Sequence, residues 1–550
     1  MDLPNKNITA PGNNPPVIQP VAQVIVNEGD LIQIQPQVSD PDPGDKLTVS
    51  FRGWAPQGYS VDTSDPNHPI WRYQTGYNDA GDYSIAVVAY DGKDTVRNDI
   101  LISIKNVNRP PQCPSLAGQT VAELDTLEVD FRASDLDPED NLKLSYAFRW
   151  QGQMPAGVTN IAVDTLNNAV NFSFTPDFGA RGDYVMEFSV TDASVPVYTV
   201  DCPVSLKVED ILLWEKAGDF PNWITQAVAT SLAVDPYSSV VYAGFSSFFD
   251  PVNNPTPDQG YGVYAYSPLG KIWTDISAGL SETRVLDLQA KTGTTGLVNV
   301  FAATADGIYR YDGISWQEAS SGIPHKYRRI FSLGLDSQGK IWAGPGSGLE
   351  IGSGILSPLY FSNDDAQSWV YSSGITDLIR VYDLASGGNQ ILASVFRKSG
   401  NSFFNAIIQS LDLGATWGDN SFFGHMSSPS RVIAFDSADS QKIYVGVDNQ
   451  GICRTVDGGS TWLLPILIGT TNSYPRAILP IAYPDYPDTV LVGLTEKGIW
   501  RSRDGGSTFA AQNQGLPDGV SIRSIAVDPD NLDRLYVGTE YHGVYRTKIP

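Results

Sequence analysis

Six arginines recur along the later part of the chain, and their type and spacing are suited to binding anions. Each precedes a short apolar run, as in Arg431-Val432-Ile433. A guanidinium is a planar fork that pairs with carboxylate, sulfate or phosphate. The pattern predicts either an anion-binding surface or repeat-inherited arginines that bridge to neighbouring carbonyls and acids. The six, spaced 45 to 51 residues apart, are Arg284, Arg329, Arg380, Arg431, Arg476 and Arg523.

Two groups of aspartates in the first part of the chain offer hard oxygen ligands. Calcium takes about six to eight such ligands at one point. The groups therefore predict candidate Ca²⁺ sites, and the alternative is that these residues only form turns. The first group is Asp40, Asp42, Asp45 and Asp91, and the second is Asp135, Asp137, Asp140 and Asp192.

The composition restricts the kind of protein that carries these groups. The 550 residues include 36 Lys and Arg against 61 Asp and Glu, a net charge of -25. This balance argues against general binding to nucleic acid or anionic membranes. No run approaches the ~20 apolar residues of a membrane helix, and the polar start shows no signal peptide. Many Gly and Pro residues with 11% aromatics favour an all-β protein.

Residues 17–108 and 109–209 repeat each other after a linker or tail at 1–16. Both contain an Asp-x-Asp-Pro turn and, later, Gly-Asp-Tyr before alternating apolar residues, as at Gly81-Asp82-Tyr83 and Gly182-Asp183-Tyr184. Short alternating strands between Asp, Pro and Gly turns are typical of a β-sandwich. The two segments resemble bacterial cadherin-like and Ig-like modules in tandem.

This resemblance bears on the cysteines and on calcium. The first and last strands of such sandwiches are often neighbours, so it implies a Cys113–Cys202 disulfide, with two buried free thiols as the alternative. A disulfide would indicate an oxidising compartment. Cadherins also place acids in the linker, whereas Asn106-Val107-Asn108-Arg109 is neutral or basic. The linker therefore departs from a full interdomain calcium site.

Residues 210–550 contain a second repeat, which we call the box turn. It reads Ser/Thr-x-Asp-x-Gly-x-Thr-Trp at Ser410–Trp417 and Thr455–Trp462, with further copies at Ser502–Phe509 and Ser362–Trp369. Including decayed copies, the terminal aromatics recur every 43 to 53 residues, which is typical of a β-propeller. We expect structural roles for the turn residues Asp364, Asp412, Trp417, Asp457, Trp462 and Asp504.

The box turn resembles the Asp box of bacterial-neuraminidase-type repeats. Sialidases, xyloglucanases, sortilin-type receptors and photosystem II assembly factors carry such repeats, so the resemblance implies a propeller more strongly than any activity. The last repeat lacks a fourth strand, which Leu212–Lys216 could supply by closing the ring. We predict two sandwiches followed by a seven-bladed propeller closed by an N-terminal strand; six or eight blades are the alternatives.

The remaining signals concern ligands and catalysis. Phe248, Phe249 and Tyr327 could stack on sugar rings or on a partner, or could pack under loops. The Arg-Ile-Pro string of sialidases is missing near the first blade. Few glutamates could act as catalytic partners, and these are Glu282, Glu318, Glu350 and Glu496.

Together these signals indicate a non-catalytic recognition or adhesion protein that is extracellular, at a bacterial cell surface or periplasmic. Its expected partner is an acidic polysaccharide or a protein, with self-association as a further expectation. A glycoside hydrolase and a structural subunit of a surface assembly are the alternatives.

Overall fold

The chain forms two compact units, Met1–Asp210 and Ile211–Pro550. This computed structural model describes residues 12–137, 143–155, 162–164 (backbone only), 170–247, 259–292, 298–346, 356–375, 377–424, 426–469, 472–484 and 486–548. Regular structure in these ranges is β-strand, with two short 3₁₀ helices at Asn222–Gln226 and His325–Tyr327. Within them, no helix is long and apolar enough to cross a bilayer.

The first unit contains two β-sandwiches, each with a four-stranded sheet facing a three-stranded sheet. In the first, a two-stranded ribbon is added. Its nine strands are Val17–Ile18, Val24–Asn27, Leu31–Ile34, Val38–Ser39, Thr48–Gly53, Ser60–Asp62, Ile70–Gln74, Gly81–Tyr90 and Thr95–Lys105. The second sandwich has seven strands: Gln119–Ala122, Leu127–Phe131, Ser145–Trp150, Ala162–Asp164, Val170–Phe174, Gly182–Thr191 and Thr199–Glu209.

The two sandwiches share the same strand pairing, tyrosine hydrogen bond and core packing. In each, the first strand of the larger sheet pairs in parallel with the last strand of the module. The tyrosine of each Gly-Asp-Tyr donates its hydroxyl to a carbonyl four residues earlier, Tyr83 to Asp79 and Tyr184 to Ala180. Alternating apolar side chains fill both cores, with Trp71 buried in the first. The tandem sandwich prediction is confirmed.

A disulfide joins Cys113, which precedes the strands of the second sandwich, to Cys202 in its last strand. The two Cα atoms are 5.7 Å apart, and 89 residues separate the cysteines along the chain. Cys202 is buried in the core of this sandwich. Cys453, in the second unit, is a buried free thiol.

The second unit is a propeller of seven four-stranded antiparallel sheets. The first strand of each blade contacts the first strand of the next, and the last contacts the first, so these strands surround a closed channel. The blades are as follows: blade 1, Val228–Val234, Val241–Ser246, Gly260–Ser267, Ile272–Asp275; blade 2, Val285–Thr292, Val298–Thr304, Gly307–Tyr311, Trp316–Glu318; blade 3, Ile330–Leu335, Ile341–Pro345, Tyr360–Ser362, Val370–Tyr371; blade 4, Leu378–Gly387, Gln390–Ser399, Ser402–Ser410, Gly418–Asp419; blade 5, Ser430–Phe435, Ile443–Val447, Gly451–Thr455, Leu463–Ile466; blade 6, Pro475–Ile481, Thr489–Leu494, Gly498–Ser502, Ala510–Ala511; blade 7, Ile522–Asp528, Asn531–Thr539, Val544–Thr547 and Trp214–Lys216.

The strand Trp214–Lys216 closes the ring by pairing with Val544–Thr547 at the other end of the propeller sequence. Trp214 is buried, and its indole Nε1 donates to the carbonyl of Gln512 at 2.7 Å. Closure leaves the ring without an unpaired seam between its first and last blades. The predicted seven blades and the predicted closing strand are confirmed.

The four box turns share one hydrogen-bond pattern. In the turn at Asp457, one carboxylate oxygen accepts from the Thr461 amide at 2.9 Å and from the Thr455 hydroxyl at 2.7 Å. The other oxygen accepts from the Thr461 hydroxyl at 2.6 Å. The aspartates of the other turns, Asp364, Asp412 and Asp504, accept equivalent bonds. Each carboxylate therefore holds its tight turn closed.

The tryptophans that end the box turns connect neighbouring blades. Trp417 donates its indole N–H to the hydroxyl of Ser372 in the preceding blade at 3.1 Å, and Trp369 donates to the carbonyl of Ala319 at 2.7 Å. Trp462 instead packs edge-on against Phe423, with ring centroids 4.8 Å apart. These contacts fix the angle between blades and so position the innermost strands.

Candidate functional site

A β-bulge interrupts the innermost strand of every blade near its start. The bulge residue has no Cα partner on the second strand, so its side chain is presented outside the regular ladder. One bulge residue takes the equivalent position in each blade, and blade 4 has a further bulge at Ile379. In chain order the seven equivalent bulge residues are Thr230, Leu286, Phe331, Tyr382, Arg431, Arg476 and Arg523.

The six arginines do not occupy one structural position, and the sequence prediction was wrong in this respect. Three of them, Arg431, Arg476 and Arg523, are bulge residues. The other three, Arg284, Arg329 and Arg380, lie two residues before the bulge. An apolar residue followed both kinds of arginine in the sequence, which hid the two-residue difference.

All six arginines nevertheless belong to the same end of the innermost strands. The pKa of Arg380 is influenced by the charges of Arg329 and Arg431, and that of Arg476 by the charges of Arg431 and Arg523. Because the innermost strands surround the channel, this end forms one mouth of the channel.

The arginines and the bulge aromatics interleave between blades 3 and 5. The central carbon of the Arg380 guanidinium lies 4.7 Å from the ring centroid of Phe331, and that of Arg431 lies 4.5 Å from the centroid of Tyr382. Arg329 also lies over Phe331, at 5.4 Å. We call Arg329, Phe331, Arg380, Tyr382 and Arg431 the cationic arc. Cation–π stacking holds each guanidinium plane against a ring and leaves its edge to donate.

Acidic side chains pair with Arg431 at one end of the arc and with the arginines that flank the arc. Arg284 is paired with Glu282, with 2.9 Å between Nε and Oε1. Asp448 accepts from both Arg431 at 3.2 Å and Arg476 at 2.5 Å. In blade 7, Arg523 is paired with Glu540. These pairs correspond to the structural alternative that the sequence left open.

Arg380, at the centre of the arc, differs from these neighbours. Among the described residues it forms no ion pair with a carboxylate, and its guanidinium lies over the rings of Phe331 and Tyr382. Burial, together with the charges of Arg329 and Arg431, lowers the pKa of Arg380. The adjacent positive charges favour the binding of an anion at Arg380.

Two half-buried aspartates line the channel behind the arc. Asp287 accepts from the Ser231 hydroxyl at 2.8 Å and from the Leu333 amide at 2.7 Å, so it links blades 1, 2 and 3. Asp383 accepts from the Ser332 hydroxyl at 3.3 Å and from the Ile433 amide at 2.7 Å, linking blades 3, 4 and 5. These carboxylates satisfy backbone N–H groups on the free edge of the innermost strands.

Burial raises the pKa of Asp287 to about 6 and that of Asp383 to about 7. The sequence analysis missed both residues. The available signal was the alternation of Ser and Asp before a leucine in blades 1 to 4, at Ser231, Asp287, Ser332 and Asp383.

The predicted aromatic ligands are only partly described. Phe248 and Phe249 lie outside the described residues. Tyr327 is half-buried against the core of blade 3, near Tyr360. The aromatics that do accompany the arginines are Phe331 and Tyr382, which the sequence analysis did not single out as ligand-binding residues.

The candidate catalytic glutamates have structural partners. Glu282 is bonded to Arg284, and these hydrogen bonds lower its pKa despite its burial. Glu318 accepts from Arg328 at 2.6 Å. The amide of Glu496 donates to the Ser521 hydroxyl at 3.0 Å, whereas Glu350 lies outside the described residues.

The acids of the first sandwich come together at one end of the module. Carboxylate oxygens of Asp40, Asp42 and Asp45 lie within 4.8 Å of one another. Asn13 donates its amide to Asp91 at 2.7 Å and to Asp94 at 2.8 Å.

Asp94 is fully buried, and its Oδ1 has no hydrogen-bond partner within the described part of the chain. Asp40 Oδ2 likewise has no hydrogen-bond partner among the described residues. Lys93, which pairs with Asp45 at 3.1 Å, is half-exposed and supplies the local positive charge. Hard, under-satisfied oxygens are the donors that Ca²⁺ takes, so these residues fit the ion.

The second sandwich fits calcium less well. Arg109 donates from its backbone amide and from Nε to the two carboxylate oxygens of Asp137, each at 2.7 Å. Asn108 donates to Asp192 at 2.9 Å, and the Asp137 amide donates to Asp135 at 2.9 Å. A guanidinium therefore already neutralises Asp137, one of the predicted calcium ligands. Asp140 lies outside the described residues.

The chain resembles solved structures of known proteins in fold alone. No family model and no curated protein sequence matches the chain. YCF48 from Cyanidioschyzon merolae is 12% identical, with a TM-score of 0.42, over 61% of this chain and 98% of that one. The GH74 xyloglucanase from Xanthomonas campestris is 15% identical, with a TM-score of 0.32, over 66% and 63%. Human protocadherin-24 EC1-2 is 14% identical, with a TM-score of 0.25, over 36% and 99%.

Proposed function

We propose that the protein is a non-catalytic recognition or adhesion protein whose propeller binds an acidic partner at the cationic arc. The observation that carries the proposal is Arg380, which is stacked between aromatic rings and has no carboxylate partner among the described residues. Its neighbours Arg284, Arg431 and Arg476 do have such partners. An acidic glycan or an acidic protein segment would supply the missing negative charge.

The surrounding architecture supports binding more than turnover. The two aspartates with the most strongly raised pKa values, Asp287 and Asp383, have their carboxylates engaged by backbone and serine donors. Glu282 and Glu318 are paired with arginines. A glycoside hydrolase needs one free acid and one free base or nucleophile on either side of the substrate. The Asp-box resemblance, which concerns structural turns, agrees with a binding role.

The proposed location is extracellular, at a bacterial cell surface or periplasmic, and the Cys113–Cys202 disulfide supports it because such bonds persist in oxidising compartments. For the first sandwich we infer a Ca²⁺ held by Asp40, Asp42 and Asp45, whose carboxylate oxygens lie within 4.8 Å of one another. There the ion would neutralise like charges and brace the segment that enters the module.

Retention on immobilised polymers tests the proposal. The full chain should be retained by polygalacturonate, an acidic polysaccharide, or by polyglutamate, an acidic polypeptide, and not by neutral dextran. Retention should fall with salt because exposed charges are screened. The double variant Arg380→Ala/Arg431→Ala should elute early, whereas Arg132→Ala on the second sandwich should behave as wild type. Retention of the double variant equal to wild type would refute the arc as the binding surface.

A further inference from the structure

A separate cationic cleft of about 540 Å³ lies where the propeller ring closes. One wall comes from blade 7, through the closing strand and its partner. The other comes from two turns of blade 1, at Ser238-Ser239 and at Ser267–Lys271. The first of these turns follows the end of the innermost strand, whereas the cationic arc lies at strand starts. The cleft is therefore on the opposite face of the propeller from the arc.

The charges that line this cleft are unbalanced. Four cationic side chains, Arg534, Arg546, Lys271 and Lys548, face one carboxylate, that of Glu215. Glu215 accepts from Arg546 at 2.9 Å. Arg534 is oriented by Asp528, at 2.8 Å. Both guanidinium planes are thus fixed before any ligand arrives.

The two lysines are the adaptable part of the cleft. Within the described ranges, neither Lys271 nor Lys548 forms an ion pair, and both are exposed. Lys271 lies in a turn with a backbone φ of 53°, which directs it away from the regular strand path. An ammonium on a flexible stem can close over an oxyanion that the guanidiniums have oriented.

We propose that this cleft binds a phosphate or sulfate ester of about monosaccharide size. Its volume lies in the range of ordinary small-ligand sites, roughly 300–1,000 Å³. The two fixed guanidiniums match the oxyanion, and the lysines supply the remaining charge. Pro268 and Leu269 give the entrance an apolar edge on which a sugar ring can rest.

Calorimetric titration of the full chain tests this site. The probes are glucose 6-phosphate, glucose 6-sulfate, inorganic phosphate and, as the neutral control, glucose. Both esters should bind at one site per chain and glucose should not. An ester that binds more tightly than inorganic phosphate supports a sugar ester, and equal affinity supports a free oxyanion at the same site. Failure of every anion to bind at low salt would overturn the proposal.

Substitutions test whether the esters bind in this cleft. Lys271→Ala/Lys548→Ala should weaken ester binding by about tenfold or more, because charge-assisted bonds are lost. Lys105→Ala, an exposed lysine of the other unit, should leave it unchanged. Binding that survives the double lysine variant would contradict the assignment.

Discussion

The guanidinium of Arg431 lies over the ring of Tyr382, with its central carbon 4.5 Å from the ring centroid. Both residues are bulge residues, one in blade 5 and the other in blade 4. The repeat therefore presents two different side chains at one structural position of adjacent blades, and they pack on each other. Such stacking keeps a guanidinium flat and oriented at the channel mouth, where it can meet an anion.

Closure of the ring should determine the stability of the propeller. Trp214→Ala removes a buried side chain and its hydrogen bond to Gln512, at the only strand contributed from the N-terminal side of the propeller sequence. We expect the free energy of unfolding to fall by about 3–5 kcal/mol, as measured by urea denaturation. Tyr237→Ala, an exposed aromatic in the same unit, is the matched control. Unchanged unfolding in the Trp214 variant would show that the closing strand is dispensable.

The disulfide should stabilise the second sandwich. Reduction, or the change Cys113→Ser/Cys202→Ser, opens a loop with a sequence separation of 89 residues. The chain-entropy model then gives a loss of about 3–5 kcal/mol. Limited proteolysis with and without reductant should show faster cleavage within residues 109–209. Cys453→Ala should retain the same sensitivity to reductant, and equal cleavage in both conditions would contradict the expectation.

The channel aspartates should make stability depend on pH. In the folded protein, burial raises the pKa of Asp383 from 3.8 to about 7 and that of Asp287 to about 6. Groups with raised folded pKa values contribute stability below their unfolded pKa, and this contribution is lost as the pH rises through about 6 and 7. Their contribution to the free energy of unfolding should therefore fall between pH 5 and pH 8.

Asp383→Asn isolates this effect. It should reduce the difference in unfolding free energy between pH 5 and pH 8 by roughly 2–3 kcal/mol. Asp530→Asn, an exposed aspartate in blade 7, should leave the difference unchanged. If Asp383→Asn preserves the full difference, burial does not govern this carboxyl.

Calcium should stabilise the first sandwich through Asp40. At a calcium concentration about 100-fold above the dissociation constant, linkage predicts a gain of about 2–3 kcal/mol in unfolding free energy. Asp40→Asn should abolish the gain, because it removes the charge of a carboxylate of the Asp40, Asp42 and Asp45 cluster whose Oδ2 has no hydrogen-bond partner among the described residues. Asp82→Asn, on an exposed part of the same module, should retain it. Identical thermal unfolding of the wild type with calcium and with EDTA would exclude the site.

The repeats made the fold predictable from the sequence. The spacing of the box turns gave the blades, and the missing fourth strand after Val544–Thr547 pointed to Trp214–Lys216. The turn residues and their period predict the blades directly, because each blade packs against its neighbours in the same way and so needs the same residues at the same positions.

The site was less predictable because it depends on where each bulge falls. A bulge shifts the register by one residue without changing the apolar pattern, so Arg380 and Arg431 looked equivalent when they are not. For the same reason Phe331 and Tyr382 read as ordinary strand residues. The buried roles of Asp287 and Asp383 depend on hydrogen bonds across three blades, which no local pattern encodes.

The most direct test of the central claim is the salt dependence of binding to polygalacturonate and to polyglutamate, for the wild type and for Arg380→Lys. The wild type should bind at least one of these polymers, with affinity that falls as the ionic strength rises. Arg380→Lys keeps the charge but loses the planar stack on Phe331, so it should bind more weakly with a similar salt dependence. Wild-type affinity in this variant, or wild-type binding that does not respond to salt, would contradict recognition of an acidic partner by the cationic arc.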